Sequence, residues 1–403
     1  MSEYLFLGRV IPTGMETEVE KKRKRSMQDA AIALQWNLIN GIEENLEKSI
    51  DIYSILPVDS YPRNYADKII KVKRFSHKEG ARDILAGHIN IYFIRRFFMK
   101  KCLNKYAKMW AKKNPNAKAV FMYTLNSAFL NAAEIIKNKC PKVKVCCIIA
   151  DLPEFIDLSN NINPLLGLVK KNSVRELYKK TNIIDNYVLL TKYMADKMKI
   201  TKPFAVVEGV ATDIFKDKKI KENTENKSIL YAGTLNERFG VKNLVRAFMM
   251  TEEKNFRLVI CGTGDSAEWI KEQACRDKRI CFNGRVERHE VLSIMQSVSV
   301  IINPRMNLEE FTKYSFPSKN LEALSSGTPL MAYKLDGIPD EYDEFIYYIE
   351  GDSVEALRNT LENILNKPGD ELKAFGERAR VFVSESKNAM VQTKKILKLI
   401  GEI

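Results

Sequence analysis

Short apolar segments alternate with helix-like segments along almost the whole chain, and this alternation constrains the fold more than any other feature. Apolar runs such as Tyr4–Gly8, Ala119–Tyr123 and Val143–Ile149 are separated by stretches with apolar residues at helical spacing. The pattern restarts at Ser228 after the polar tract 217–227. Strands that alternate with helices form doubly wound, mostly parallel sheets. We therefore predict an α/β protein with two Rossmann-like domains that face each other across a cleft.

The length of 403 residues is enough for two or three domains, each with its own core. We predict an acceptor-binding, membrane-facing domain over 1–205 and a nucleotide-sugar-binding domain over 206–385. Residues 386–403 are predicted to form a helix that returns to the first domain.

The excess of positive charge is confined to the first half of the chain. Residues 1–200 contain 35 Lys and Arg against 20 Asp and Glu, whereas the remaining residues contain 30 against 31. A basic half predicts a polyanionic partner, such as a membrane surface, nucleic acid or a phosphorylated substrate. Nucleic acid is disfavoured, because the aromatic residues show no arrangement suited to base stacking.

The composition argues against several other classes of protein. No apolar run is long enough to cross a bilayer, and the start, MSEYLFLGRV, is unlike a secretory signal. The seven cysteines lack CxxC spacing, which predicts reduced thiols and a cytoplasmic protein. With only three histidines and no Asp-x-Asp motif, we expect neither a bound metal nor a cofactor.

The segment 314–329, YSFPSKNLEALSSGTP, has the residues that begin and end a short helix. Pro317 and Ser318 suit its start, with Ser318 as the N-cap, and Gly327 suits its end. A helix N-terminus attracts anions, and Glu322 could accept hydrogen bonds from a vicinal diol such as ribose. The alternative is a capped surface helix that precedes a buried strand.

Four segments of the second half together resemble a known family: YAGTLNERFGVKNLVRAF, LVICGTGDS, ICFNGRVERHEVLSIMQSVSVIINPR and YSFPSKNLEALSSGTPLMAY. Their order and spacing are similar to those of the retaining nucleotide-sugar glycosyltransferases of family 4, which have the GT-B fold. The resemblance covers Ser228 to about Asn363. The last two segments are similar to the branch that builds capsular or exopolysaccharide repeat units.

The resemblance has consequences for the mechanism. Of the two glutamates typical of the family, the second matches Glu322, which implies a ribose ligand, and the first falls on Tyr314. A tyrosine at that position casts doubt on an enzymic nucleophile. Front-face substitution, in which the departing diphosphate assists the incoming hydroxyl, is then expected, so the enzyme mainly neutralises the leaving group.

Other cations must replace two that the family usually supplies, because its arginine and lysine positions fall on Thr234 and Phe239. We expect the diphosphate to meet Arg238, Lys242, Arg305 and Lys319, with Arg238 and Lys319 acting catalytically through charge neutralisation. Each of them could instead be a solvated surface charge.

The remaining predicted donor contacts are a helix-start anion cradle, a base-binding loop and glycines that allow close backbone approach. The anion cradle comprises Ser318, Asn320 and Leu321, and the base-binding loop contains Arg285 and Val286. The glycines are Gly262 and Gly264, with Gly14 of the first half. The glycines could also serve only their turns.

Asp151 follows a buried strand of the first half and is the predicted catalytic group on the acceptor side. It could orient the acceptor hydroxyl or act as a base, or it could cap the next helix. No histidine follows this strand, where many relatives carry one, so Glu154 is of interest as well.

A basic helix is predicted over Ile89–Lys113, with an apolar stripe from Ile91 to Met109. Aromatic and basic residues on an amphipathic helix are typical of membrane interfaces, although a core helix with a solvated basic face has the same pattern. The segment Pro164–Val169 is a second predicted contact, as an apolar loop.

These observations predict a cytoplasmic hexosyltransferase-type enzyme on the inner face of the cell membrane. It would move a sugar, with retention, from a UDP-sugar or related donor to a saccharide linked to polyprenyl diphosphate. The alternatives are a nucleotide-sugar epimerase, which the scarcity of histidine disfavours, and a nucleotide-sugar-binding pseudoenzyme or scaffold.

Overall fold

The computed structural model describes residues 2–24, 29–155, 164–211, 215 and 227–403. The chain divides into two compact units: unit 1 comprises Met1–Val210 and Ala389–Ile403, and unit 2 comprises Ala211–Asn388. Nearly all of the polar tract 217–227 lies outside the described residues. None of the helices in the described parts of the chain has the length and apolar character needed to span a bilayer.

Unit 1 contains a mostly parallel sheet and a separate pair of strands. The strands are β1 (Tyr4–Gly8), β2 (Asp51–Ser54), β3 (Ile69–Ile70), β4 (Lys73–Phe75), β5 (Asp83–Leu85), β6 (His88–Ile89), β7 (Ala119–Tyr123), β8 (Lys144–Ile149), β9 (Asn186–Leu189) and β10 (Phe204–Val206). Eight of them form a sheet in the order β10-β9-β8-β7-β1-β2-β5-β4, in which only β4 is antiparallel to its neighbour. The pair β3–β6 is antiparallel. The strands β3 to β6 were not predicted, because two or three residues carry no readable period.

Six helices of unit 1 connect these strands. They are α1 (Glu16–Lys22), α2 (Asp29–Leu46), α3 (Arg95–Lys113), α4 (Ser127–Lys139), α5 (Pro164–Lys179) and α6 (Tyr193–Met198). The prediction of an apolar loop over Pro164–Val169 is wrong, since these residues form the start of α5. The strands β1 and β7 are buried along their whole length, as expected for parallel strands covered on both faces.

The predicted basic helix is present, but its start and its apolar face differ from the prediction. It begins at Arg95, because His88–Ile89 is strand β6. The side chains buried on it are Met99, Leu103, Ala107, Trp110 and Ala111, along the face that packs on α4. The predicted stripe from Ile91 to Met109 lies beside this face, and Met109 is exposed. Apolar residues occupy both faces, and only the contact with α4 decides which one is buried.

Unit 2 is a second parallel sheet with helices on both faces. Its strands are β11 (Lys227–Ala232), β12 (Phe256–Cys261), β13 (Ile280–Gly284), β14 (Val300–Asn303), β15 (Leu330–Ala332) and β16 (Ile346–Tyr348), in the order β13-β12-β11-β14-β15-β16. Its helices are α7 (Val241–Met249), α8 (Ala267–Arg276), α9 (Arg288–Met295), α10 (Ser318–Ser326), α11 (Val354–Leu365) and α12 (Gly369–Ser386). The first five strands were predicted to within about two residues at each end, and β16 was not predicted.

The two faces of this sheet have separate cores. Along β11, Ile229 and Tyr231 join one cluster of buried residues, and Leu230 and Ala232 join the other. This alternation follows from the two-residue period of a strand. Full burial of a large apolar side chain such as Phe248 stabilises the fold by about 1.5–3 kcal/mol. The carboxyl ends of the strands are therefore held by a rigid scaffold.

Helix α10 matches the predicted segment, with one correction at its start. Pro317 is the N-cap and Ser318 is the first helical residue, so the serine side chain does not cap the helix. The helix ends as predicted at Gly327, which has φ +78°. A left-handed residue of this kind favours glycine, because a side chain would be strained there.

The last helix, α13 (Ala389–Ile400), belongs to unit 1. It packs against α2, where the Nδ2 of Asn45 donates to the Oγ1 of Thr393 over 2.9 Å. Ile396 and Leu397 are fully buried. Boundaries were predicted after residues 205 and 385, and the division falls after Val210 and Asn388.

Candidate functional site

The carboxyl ends of β11 and β14 open into a cavity of about 260 Å³ within unit 2. The two strands are neighbours, and the start of α10 closes the cavity on one side. Its lining includes the predicted residues Arg305, Ser318, Lys319 and Asn320, together with Gly233, Thr234, Phe239, Asn303, Phe316 and Pro317, which were not predicted as ligands. Ligands bind at this edge of open parallel sheets.

Two arginines share one pair of aromatic rings at this site. The Cζ of Arg305 lies 4.4 Å from the ring centre of Phe311 and 5.7 Å from that of Phe239. The Cζ of Arg238 lies 4.9 Å from Phe239 and 5.9 Å from Phe311. Two predicted cations, Arg238 and Arg305, therefore lie close together. Cation–π contacts with the two rings stabilise their positions and leave their positive charges intact. Phe239 itself was noted in the sequence only as a departure from the family pattern.

Arg305 is a partly buried cation. Burial lowers its pKa to about 10, against the favourable charge of Glu309, and Arg238 adds a further lowering. The group remains a cation at neutral pH. Its Nη2 donates to the Oγ of Ser315 over 3.3 Å, and its buried Nε has no partner among the described residues. An anion in the cavity would reduce the repulsion between Arg305 and Arg238, and it would accept a hydrogen bond from the unpaired Nε of Arg305.

A pair of asparagines joins the end of β14 to the start of α10. The Nδ2 of Asn303 donates to the Oδ1 of Asn320 over 2.8 Å. Asn320 is fully buried, and its own Nδ2 has no partner in the part of the chain that the structure describes. Its backbone N–H donates to the carbonyl of Pro317. This corrects the predicted cradle, because the free donor of Asn320 is its side chain and not its N–H.

Glu322 lies one turn into α10 and bridges two cations. Its Oε1 accepts from the Nη2 of Arg288 over 2.9 Å, and its Oε2 is 4.0 Å from the Nζ of Lys319. Arg288 was not predicted, and it comes from α9, which packs on α10. The predicted role in ribose binding stays a prediction. A carboxylate has about four acceptor positions, so the ion pair leaves some of them for a diol.

Tyr314 stands where the family resemblance led us to expect a carboxylate. It ends the 3-10 turn Glu310–Tyr314, and its hydroxyl donates to the Oε1 of Glu310 over 3.2 Å. A carboxylate is therefore present one turn earlier, at the end of the tyrosine side chain. The sequence comparison missed it because Glu310 does not align with the family position.

The remaining predicted donor residues are placed by loop packing. A Cβ on Gly262, which has φ +147°, would lie 1.8 Å from the carbonyl oxygen of Gly233, and one on Gly264 would lie 2.4 Å from that of Leu235. Tight contact between the two loops is therefore enough to require these glycines. Their predicted contact with a nucleotide stays a prediction.

Four further predicted residues lie near this edge. Lys242 forms an ion pair with Glu237, with 2.7 Å between Nζ and Oε2. Arg285 is exposed just beyond β13, whereas Val286 packs against the core. Leu321 is buried within α10, so only its backbone is available to a ligand.

Unit 1 has a polar cluster at the carboxyl edge of its own sheet. Asp151 follows β8, and although the residue is exposed, surrounding protein desolvates the carboxyl group and raises its pKa. Its charge and that of Arg9 both act on Tyr123, whose pKa is raised mainly by burial. Glu154 is engaged elsewhere, since it accepts from the Tyr178 hydroxyl over 2.8 Å. Gly14 lies in the exposed loop after β1, with φ +82°.

Arg9, Arg95 and His88 were not predicted at this edge. Burial lowers the pKa of Arg95, and the charge of Arg9 lowers it further. His88 is buried with its pKa lowered to about 4, to which both guanidinium groups contribute, and its Nε2 has no partner among the described residues. Arg9 follows β1 and His88 follows β5, which would predict that both lie at the carboxyl edge of the sheet. That prediction requires knowing that β1 and β5 belong to the same sheet, and β5 was not recognised in the sequence.

No described group of three or more His, Cys, Asp and Glu side chains is placed to hold a metal ion. The cavity of unit 2 favours an anionic ligand. The guanidinium group of Arg305, the ammonium group of Lys319 and the unpaired Nδ2 of Asn320 all lie at the carboxyl ends of the strands.

One known family matches the part of the chain that holds this cavity. Residues 213–382 match the family described as "Glycosyl transferases group 1". The match lies within unit 2 and spans fewer than half of the 403 residues. A curated relative, D-inositol 3-phosphate glycosyltransferase of Corynebacterium glutamicum (strain R), is 26% identical over 153 residues. That match covers 35% of this chain and only 35% of the relative.

Solved structures match along the whole chain and show the fold. The chain resembles sucrose-phosphate synthase from Thermosynechococcus elongatus, with a TM-score of 0.65, 13% identity and coverage of 99% and 98% of the two chains. The lipopolysaccharide outer core galactosyltransferase WaaB matches with a TM-score of 0.62, 14% identity and 99% coverage of both chains. Anabaena HepE, solved with UDP, matches with a TM-score of 0.60, 11% identity and 100% coverage of both chains. The predicted α/β fold of the GT-B type is confirmed.

Proposed function

We propose that the chain is a retaining glycosyltransferase that uses a nucleotide diphosphate-sugar, such as a UDP-sugar, as donor. The observation that carries the proposal is the cavity of unit 2, which is lined by Arg305 and by Asn320 with its unpaired Nδ2. Next to it, Arg238 shares the rings of Phe239 and Phe311 with Arg305. This arrangement suits a diphosphate, which is anionic and accepts several hydrogen bonds. HepE, a protein of the same fold, was solved with UDP.

The reaction then proceeds by neutralisation of the leaving group. The bond between the anomeric carbon and the diphosphate oxygen breaks while the acceptor oxygen attacks the same face of the sugar. The acceptor proton passes to the departing diphosphate. Arg238, Arg305 and Lys319 stabilise the charge that develops there, and electrostatic stabilisation of this kind is the main source of catalysis in many enzymes. No nucleophile is required at Tyr314.

The other predicted residues take supporting roles in this proposal. Glu322 binds the ribose hydroxyls, Arg285 and Val286 lie against the base, and Gly14 of unit 1 approaches the donor phosphates. Asp151 orients the acceptor hydroxyl, and burial raises the pKa of its carboxyl group above the ordinary value.

The acceptor we propose is a saccharide linked to polyprenyl diphosphate, in the assembly of a capsular polysaccharide or exopolysaccharide. The basic first half supports an anionic acceptor at the cytoplasmic face of the cell membrane. A soluble sugar phosphate is the competing acceptor class, since the names of D-inositol 3-phosphate glycosyltransferase and sucrose-phosphate synthase point to phosphorylated small molecules in those proteins.

Donor binding and donor turnover test the proposal separately. UDP- and GDP-sugars are screened by thermal shift, and turnover is then measured with membranes that contain lipid-linked oligosaccharide. Arg305→Leu should lower turnover by about 10²–10³, because one preorganised cation is lost from the leaving group. The control is Arg276→Gln, since Arg276 is exposed at the end of α8. Nucleotide binding without turnover of any donor would favour the pseudoenzyme instead.

A further inference from the structure

Exposed apolar side chains are concentrated in one region of unit 1. Of fourteen large apolar residues exposed among the described ones, seven lie within residues 61–97: Tyr61, Ile69, Val72, Tyr92, Phe93, Ile94 and Phe97. We call these seven residues the aromatic patch. Phe93 is 87% exposed, Tyr92 64% and Phe97 63%. Isolated exposed apolar residues need no explanation, but a concentration of this kind marks an interaction surface.

Backbone hydrogen bonds join the parts of the patch. The N–H of Tyr61 donates to the carbonyl of Asn90, and the N–H of Asn90 donates to the carbonyl of Lys68. Ile69 pairs with Ile89 in the β3–β6 strand pair. A Cβ on Gly87 would lie 2.6 Å from the backbone nitrogen of Val72. The residues of 61–72 are therefore held beside the chain that leads into α3.

The patch is fixed in place by well-packed neighbours. Helix α3 packs on α4 and buries Met99 and Leu103, whereas Phe93 and Phe97 remain exposed. At the start of the helix, the Nη2 of Arg95 donates to the carbonyl of Val58 over 2.6 Å. The exposed rings also contact each other in sequence, with 5.2 Å between the centres of Tyr92 and Phe93. Binding to a partner would thus require little ordering of the chain.

The charged side chains of segments 61–74 and 91–101 are almost all positive. The exposed cations of these segments are Arg63, Lys68, Lys71, Lys73, Arg74, Arg96 and Lys101. The acidic residue Asp67 is paired with Lys22 over 2.9 Å, and residues 91–113 contain no acidic residue. Exposed aromatics within a field of cations match an anionic lipid surface, where rings enter the interface and cations meet the headgroups.

We propose that the aromatic patch docks unit 1 on an anionic lipid bilayer, with Phe93 and Phe97 inserted at headgroup depth. The contact is made by the N-terminal end of α3 and the β3–β6 region, and not by a face along the whole helix as the sequence suggested. The docking stands on these exposures and charges alone. Only its purpose, access to a lipid-linked acceptor, rests on the proposed function.

The test is sedimentation of the full chain with vesicles, without donor or acceptor. Vesicles of phosphatidylglycerol and phosphatidylcholine should bind the protein, and vesicles of phosphatidylcholine alone should bind it at least tenfold more weakly, because each cation near an anionic surface strengthens binding severalfold. Phe93→Ser with Phe97→Ser should lower binding to the anionic vesicles by about tenfold or more. The matched control, Met390→Ser with Ile403→Ser, removes two exposed apolar residues elsewhere in unit 1 and should bind as the wild type.

A charge reversal tests the cations separately. Lys71→Glu, Lys73→Glu and Arg74→Glu together should abolish binding, whereas Lys139→Glu, Lys142→Glu and Lys144→Glu, which make the same charge change at the end of α4 and the start of β8, should reduce it only modestly. Thermal unfolding checks that each variant is folded.

Equal binding to neutral and anionic vesicles, or undiminished binding of the Phe93/Phe97 variant, would overturn the proposal. The proposal would also be overturned if light scattering showed that the wild type is a dimer and the Phe93/Phe97 variant is a monomer. A second copy of the chain would then cover the aromatic patch. Loss of turnover with intact vesicle binding would count against the proposed function only.

Discussion

Arg305 and Asn320 each keep a buried nitrogen without a partner among the described residues, at the open end of a parallel sheet. Unsatisfied buried donors cost about 1–3 kcal/mol each, so they persist where a ligand can satisfy them. Both residues were predicted from the sequence. The wrong donor was predicted for Asn320, because the turn that uses its N–H depends on the backbone at Pro317.

Glu322 gives a prediction at this scale. Glu322→Ala should weaken UDP binding by about 10–100-fold, because the proposed charged hydrogen bond to the ribose would be lost and Arg288 would lose its partner. Isothermal titration calorimetry measures the affinity. Glu355→Ala, at an exposed position of α11, is the control and should bind normally. Unchanged donor affinity and turnover in the Glu322 variant would remove this residue from the site.

At the scale of elements, a buried histidine ties helix α2 to strand β5. The Nδ1 of His77 lies 2.7 Å from the Oδ2 of Asp83, and its Nε2 lies 3.1 Å from the Oε1 of Glu43. Burial opposes charging of the ring, but the two carboxylates outweigh it and raise the pKa of His77 to about 9. Sequence patterns could not reveal this cluster, since Glu43 lies far from His77 in the chain and β5, which holds Asp83, was not predicted.

The cluster makes stability depend on pH in a defined direction. The pKa of His77 is higher in the folded state than its ordinary value of about 6.5, so its contribution is complete below pH ~6.5 and is lost as pH rises through about 9. His77→Gln should reduce the free energy of unfolding by about 3 kcal/mol more at pH 6 than at pH 10. Urea unfolding at both pH values measures this difference. His289→Gln, at an exposed position, is the control variant, and a flat profile for His77→Gln would contradict the assignment.

The same scale shows where pattern reasoning succeeds. Five of the six strands of unit 2 were predicted because buried parallel strands leave continuous apolar runs. Helix α10 was predicted from its proline and glycine. Helix α3 was predicted with the wrong face, because its sequence carries apolar residues on more than one side.

At the scale of the whole molecule, the last residues of the chain complete the first unit. Leu397 is fully buried in the core of unit 1 that contains β1, β7 and α2. Leu397→Ala should destabilise unit 1 by about 2–5 kcal/mol, as expected for a cavity in a packed core. Ile403→Ala, at a position 50% exposed, should have little effect.

The measurement should separate the two units. Hydrogen exchange should show faster exchange in β1 and β7 of the Leu397 variant, with unit 2 unchanged, because the two units have distinct cores. Equal acceleration in both units would show that they unfold as one.

By itself, the sequence determined the fold class, the two-unit organisation of alternating strands and helices, and the edge of the second sheet where a ligand is expected. These features depend on local periodicity and on residues that begin or end helices, which are legible without tertiary contacts. The tertiary structure alone decided which arginines converge on Phe239 and Phe311, that Arg288 holds Glu322, and which apolar side chains of 91–110 are buried or exposed. Those outcomes depend on which segments pack together, and residues far apart in the chain carry no local signal of their contact.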